Sequence, residues 1–198
     1  MSVLVLASAS AARARLLEAG GVAATIDPAA IDESRIRAEQ RARGARVEDC
    51  ALLLAETKAR GVASRHAGAL VLGADQMLEC GEMWFDKPQT MDEARDQLRA
   101  LNGRQHALVT AAAVVCDERM LWRHVERARI TMRRFSDGFV DFYLRAVGKR
   151  ALNSVGCYEL EGLGAQLMAR IEGDYFGILG LPLLPLLEFL RAEGALAA

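Results

Sequence analysis

A chain of 198 residues, 52% hydrophobic and 26% charged, has the composition of a folded globular protein and enough length to bury a core of ordinary size. Its 25 Lys and Arg nearly balance its 26 Asp and Glu, giving a formal net charge of −1; this argues against wholesale nucleic-acid binding and leaves room for a local pocket that takes a small anion. Cys50, Cys80, Cys116 and Cys157 form no CxxC pair, no apolar run reaches membrane-spanning length and no basic region precedes the first one, so a cytoplasmic protein with buried thiols, off the membrane, is expected.

Residues 3–7, Val-Leu-Val-Leu-Ala, read as a short buried strand. Ser8 and Ser10 follow, either of which can cap a helix starting near Ala11, and Gly20-Gly21 stops it. Strand, small-residue loop and helix N-terminus form a geometry that receives an anion, and Arg13 adds a guanidinium fork suited to phosphate oxygens. Many α/β proteins begin this way without binding phosphate. Residues 23–26 read as a second strand, 31–34 as a polar loop, and the Arg-rich 35–46 as solvated helix or mobile loop. Residues 48–62 make a better helix, with Ala51, Leu54 and Lys58 on one stripe; a lysine there either snorkels to the rim or points at a ligand.

Residues 69–74, Ala-Leu-Val-Leu-Gly-Ala, look like a central strand whose C-terminal end carries Asp75, at the edge where ligands gather in open α/β sheets. A hairpin around Gly81 follows, Lys87-Pro88 breaks it, and Thr90-Met-Asp-Glu93 is a capping box opening a helix with Ala94, Leu98 and Leu101 inward. Residues 107–116 are strand-like. Ala128, Ile130 and Met132 then alternate with Arg127, Arg129, Thr131 and Arg133, the period of a half-buried strand. Ser136 caps a helix carrying Phe139, Phe142 and Tyr143, the Gly-rich remainder breaks into short segments, and a last helix starts at Pro185. Interleaved strands and helices, with hairpins, predict an α/β protein with a mixed sheet, in one domain spanning residues 1–198.

His66, His106 and His124 sit in no metal-ligand spacing, and G-x-S-x-G, GxGxxG and Walker A patterns are absent, which leaves zinc, Ser-His-Asp, dinucleotide and P-loop readings without support. What remains is Asp32, Glu33 and Asp75, acids that can hold Mg²⁺ or activate water, with Arg13, Lys58 and Lys87, cations that can neutralise a polyphosphate. Such a mixture fits metal-assisted phosphoryl or nucleotidyl chemistry, where catalysis is mostly positioning and charge stabilisation.

Taken together, separated motifs in the right order resemble the Maf family, the septum-formation-inhibitor-like nucleoside triphosphate pyrophosphatases. They are Leu6-Ala-Ser-Ala-Ser10 with Arg13, Asp32-Glu33, Glu56-Thr-Lys58-Ala59, Gly73-Ala-Asp75, Lys87-Pro88, Gly103-Arg104-Gln-His106 with Thr110, Gly156-Cys-Tyr158, and Gly173-Asp174-Tyr175 with Gly180-Leu-Pro182. The resemblance covers nearly the whole chain. It implies a mixed, twisted sheet flanked by helices with a deep cleft between two lobes, and a homodimer. It also implies cleavage of a nucleotide between its α- and β-phosphates with Mg²⁺, Mn²⁺ or Co²⁺. Carried over by position, Asp75 matches the family's proton acceptor, Glu33 a metal- or water-positioning acid, with both as metal ligands, and Ser8, Arg13, Lys58 and Lys87 the residues that hold the triphosphate.

The departures concern specificity. Where the family loop usually reads Ser-Pro-Arg-Arg, this chain has Ser10-Ala11-Ala12-Arg13, so Ala12 replaces an arginine. Gln76 follows Asp75 where Thr is common, and Glu161 stands where Gln is common; these two resemble the subgroup acting on 7-methyl-GTP. The chemistry agrees, because guanine presents two adjacent donors and a carboxylate accepts both. Glu161 as a surface acid without a base contact is the plain alternative. A dTTP/UTP or broad-specificity pyrophosphatase, and a nucleotide-binding regulator of cell division without turnover, also stay open.

Overall fold

In the computed structural model, which describes residues 3–197, the first half of the chain forms β1 (Leu4–Leu6), α1 (Ala11–Ala19), β2 (Ala24–Ile26), α2 (Glu33–Ala42), α3 (Val47–Ala63), β3 (Leu70–Cys80), β4 (Met83–Phe85) and α4 (Met91–Leu101). The second half forms β5 (Gln105–Cys116), β6 (Arg119–Met132), α5 (Asp137–Val147), three short 3₁₀ segments, β7 (Met168–Glu172), α6 (Tyr175–Ile178) and α7 (Leu183–Ala192). Among the described residues, seven strands make one mixed sheet in the order β2-β1-β3-β5-β6-β7, with β4 paired to β3. β1 runs parallel to β2 and β3, while the β3–β4 and β6–β7 pairs are antiparallel. The α/β class with a mixed, helix-flanked sheet is therefore observed.

The chain forms two compact units. The first takes the chain up to Gln76, Thr110–Glu126 and the chain from Asp174 onward; the second takes Met77–Val109 and Arg127–Gly173. In the first unit β1 is apolar at every position because both of its faces are covered. Leu4 and Leu6 join Leu70, Leu72, Leu17 of α1 and Leu183, Leu186 and Leu190 of α7. Val5 and Ala7 face the other way, onto Val71 and onto Ala59, Val62 and Ala63 of α3. In the second unit Ala94, Leu98 and Leu101 of α4 and Val140, Tyr143 and Leu144 of α5 are buried. The Tyr143 hydroxyl donates to the carbonyl of Cys157 at 2.9 Å, and His106 Nε2 lies 2.8 Å from the Tyr158 hydroxyl.

Several local expectations change. β3 runs on to Cys80, so Asp75 sits within the strand rather than at its end, because the apolar pattern resumes at Met77 and Leu78. Glu33 is not loop but the first residue of α2, whose N-cap Asp32 accepts from the Arg35 amide at 2.9 Å. α7 starts at Leu183, with Pro185 in its first turn, where a missing N–H costs nothing. β7 and α6 occupy the Gly-rich stretch; β7 is mostly exposed and carries no alternation from which to read it. Cys116 is half-buried, unlike the other three thiols. Among the described residues, no helix is long and apolar enough to cross a membrane.

Candidate active site

The period-two alternation of β3 puts Val71, Gly73 and Asp75 on the face that α3 covers. Gly73 makes this contact close, since a Cβ there would lie 2.0 Å from the Ala55 carbonyl oxygen and 2.7 Å from the Ala59 amide. With α3 seated that tightly, the apolar stripe through Ala51 and Leu54 ends in Lys58, which is buried with it. The Lys58 ammonium does not snorkel outward. It donates to Asp75 Oδ1 at 2.6 Å and lies 2.8 Å from Glu33 Oε1. Asp75 is 3% exposed, and its other oxygen, Oδ2, has no hydrogen-bond partner among the described residues. A buried carboxylate oxygen rarely goes unsatisfied without a functional reason.

Glu33 reaches this group from the first turn of α2. Burial opposes its ionisation, but the Lys58 ammonium and the Arg37 guanidinium outweigh burial and hold its carboxyl below the usual range. Arg37, four residues on, donates from Nη2 to Glu33 Oε2 at 2.7 Å and lies 3.8 Å from Asp75 Oδ1.

A second cluster surrounds Arg13, a guanidinium only 8% exposed. Its Nη1 donates to Ser8 Oγ at 3.0 Å and its Nε to the Gly180 carbonyl at 2.8 Å. Burial lowers its pKa, with the charges of Asp75 and Glu33 acting in the opposite sense. Ser10 caps α1, accepting from the Arg13 amide, and Ala12 is half-buried in the first turn. Gln76 turns its amide inward: Nε2 is 2.8 Å from Thr110 Oγ1 and 3.0 and 3.1 Å from the carbonyls of Gly177 and Ile178. Thr110 donates to the same Gly177 carbonyl at 2.8 Å. The turn that supplies Gly180 to Arg13 is thus tied to β3 and β5. Asp75, Glu33, Lys58 and Arg37 form one connected group, and Ser8, Arg13, Gln76 and Thr110 frame this turn, all within the first unit.

A model of the family described as Maf-like protein matches residues 3–193. The chain belongs to the Maf family. A nucleoside triphosphate pyrophosphatase of Paramagnetospirillum magneticum is 51% identical over 97% of this chain and 99% of its own. A 7-methyl-GTP pyrophosphatase of Rhizobium meliloti is 50% identical over 99% of this chain and 98% of its own. A solved nucleoside-triphosphatase from Mycobacterium abscessus, titled a dITP/XTP pyrophosphatase, aligns over 67% of this chain and 74% of that one at 21% identity and a TM-score of 0.42, below the level at which a common fold is read.

Two residues that the Maf resemblance singles out belong to the second unit. Lys87 is exposed on the link between β4 and α4, and Glu161 is exposed in the turn before the last 3₁₀ segment. Nothing in the composition of the sequence sets Arg37 apart from the rest of the Arg-rich 35–46, which reads as solvated helix or mobile loop. Its spacing of four from Glu33 on a helix was the available signal.

The donor set fits a divalent cation. Asp75 brings an unpartnered oxygen and Glu33 a second carboxylate, the hard ligands that such an ion prefers. Among the described residues, no group of three or more His, Cys, Asp or Glu comes together as a ready-made cage. The other coordination positions would fall to substrate oxygens and water, the usual arrangement for Mg²⁺.

Proposed function

We propose that this Maf-family chain is a nucleoside triphosphate pyrophosphatase, a hydrolase that cleaves between the α- and β-phosphates to give a nucleoside monophosphate and pyrophosphate. The observation that carries the chemistry is Asp75: a buried carboxylate with one oxygen fixed by Lys58 and the other without a donor. The free Oδ2 takes the proton of the attacking water as the new bond forms at the α-phosphorus. The bond to the bridging oxygen of the β-phosphate breaks, and the electron pair leaves with pyrophosphate. Lys58 fixes the orientation of Asp75, while Arg13 and Ser8 hold phosphate oxygens. Lys87 is assigned to the triphosphate by its place in the family motif. Glu33, together with an Asp75 lone pair not used for the proton, would hold a divalent cation, Mg²⁺, Mn²⁺ or Co²⁺, which supplies charge neutralisation at the phosphoryl group.

Relatives named nucleoside triphosphate pyrophosphatase at 46–51% identity support the reaction class. The favoured substrate is 7-methyl-GTP. Relatives of that name at 45–50% identity support it, and so does a carboxylate at Glu161 able to accept from both guanine donors. Gln76 serves this preference indirectly, since its amide nitrogen is engaged by Thr110, Gly177 and Ile178.

Pyrophosphate release from 7-methyl-GTP, GTP, dTTP, UTP and CTP, with each metal, tests the proposal. We expect turnover with 7-methyl-GTP preferred, and Asp75→Asn to remove release while nucleotide binding remains. Binding without release by the wild type, whatever the nucleotide, would return the chain to a regulator. A preference for dTTP or UTP would defeat the reading of Glu161.

A further inference from the structure

Both oxygens of Glu33 are occupied, Oε1 by Lys58 at 2.8 Å and Oε2 by Arg37 at 2.7 Å. Glu33 and Asp75 are the carboxylates assigned above to a divalent cation, and an ion between them would stand beside both positive side chains, so the more loosely held of the two is the one to move aside. Lys58 is not the one. Its side chain is 8% exposed, packed into the α3 stripe and clamped between two carboxylates. Arg37 faces the same two acids but is held less firmly. Its side chain is 21% exposed, it stands on a helix with no buried residue, and its tie to Glu33 is an i,i+4 pair of the weakly stabilising kind. Its long stem lets the guanidinium move while the backbone stays.

Resting on the metal reading of Glu33 and Asp75, we propose that Arg37 is a displaceable placeholder for the divalent cation. Without the ion, Arg37 neutralises the acid pair, holding Glu33 in place and lying 3.8 Å from Asp75. When the ion binds, Arg37 leaves Glu33 and its charge is replaced by the metal's. The acid pair is thereby kept in a binding geometry, and the ion must compete with an internal cation for it. Arg37 is a positioning residue for the metal, with no contact to the reacting atoms required.

The test is direct titration of Mn²⁺ into the full chain without nucleotide, reading the free ion by electron paramagnetic resonance. Removing one positive charge beside a dication, where Arg37 reaches the partly exposed rim of the site, predicts that Arg37→Gln binds Mn²⁺ about tenfold more tightly than the wild type. Arg37→Lys, which keeps a cation on the same helix face, stays near the wild type. Equal or weaker binding by Arg37→Gln overturns the placeholder role. Glu33→Gln and Asp75→Asn separate that failure from a deeper one: both should weaken Mn²⁺ binding. If neither does, or if no variant binds Mn²⁺, the metal reading falls and this inference falls with it.

Discussion

Lys58 is the residue on which the site turns, because one ammonium satisfies two carboxylates from different elements. Removing one partner of a buried pair leaves the other charge uncompensated, which costs about 3–5 kcal/mol; with Arg37 and Arg13 still nearby, the low end applies. Lys58→Met should therefore lose about 3 kcal/mol of stability in urea unfolding, and turnover should fall at least about a hundredfold as phosphate and Asp75 lose a fixed positive charge. The double variant Lys58→Met, Asp75→Asn should be more stable than the sum of its parts, by about 1–3 kcal/mol. Simple additivity would mean that the 2.6 Å contact does not couple the two residues in solution. Glu161 makes a different kind of claim. Being exposed, it can change to Gln with little effect on folding, so a shift of the 7-methyl-GTP to UTP ratio in Glu161→Gln would report specificity alone, and an unchanged ratio would make it a surface acid.

Among the elements, the pairing of α3 with β3 brings the acids and the lysine together, and Gly73 sets its distance. A methyl group at this position meets backbone atoms of α3, which cannot rotate aside as a side chain can. Gly73→Ala should cost about 3 kcal/mol or more, the upper range of overpacking, and displace Lys58 from Asp75. A thermal melt within a degree of the wild type would contradict this close approach. The sequence announced both elements: the α3 stripe ended in Lys58, and the apolar run of β3 ended in Gly73-Ala-Asp75. Which way Lys58 pointed was not legible, since its spacing suited a snorkelling lysine and a buried one equally; the buried Asp75 carboxylate 2.6 Å away decides it. Arg37 was hidden for the opposite reason. Its helix carries one large apolar residue, Ile36, among its charges, too few to set a period that separates a site residue from its solvated neighbours. The turn at Gly177–Gly180 was seen only as glycines in a motif. Its role depends on carbonyls that Gln76, Thr110 and Arg13 reach from distant parts of the chain.

For the whole molecule, the clearest consequence of these environments is the response to acid, which falls into two windows. Burial lowers the pKa of His106 from 6.5 to about 4. The folded state keeps this imidazole neutral beside Tyr158, while the unfolded chain takes up a proton below its ordinary value. The unfolded state then binds more protons, so stability is full above pH 6.5 and falls as the pH drops toward 4. At about 1.4 kcal/mol per pH unit this amounts to roughly 3 kcal/mol. Asp27 acts lower down. Hydrogen bonds from Arg65 and His66 bring its pKa from 3.8 to about 2, so its contribution is present above 3.8 and is lost as the pH falls toward 2. The lowered carboxyl of Glu33 acts in the same direction as Asp27. Thermal melts from pH 7.5 to about 2 should show Tm declining already between 6.5 and 4, before Asp27 titrates. In His106→Gln, whose side chain takes no proton over this range, that upper decline should flatten while the lower one remains. Asp27→Asn should do the reverse. An upper slope unchanged in His106→Gln would place the acid sensitivity elsewhere and leave the buried imidazole as packing alone.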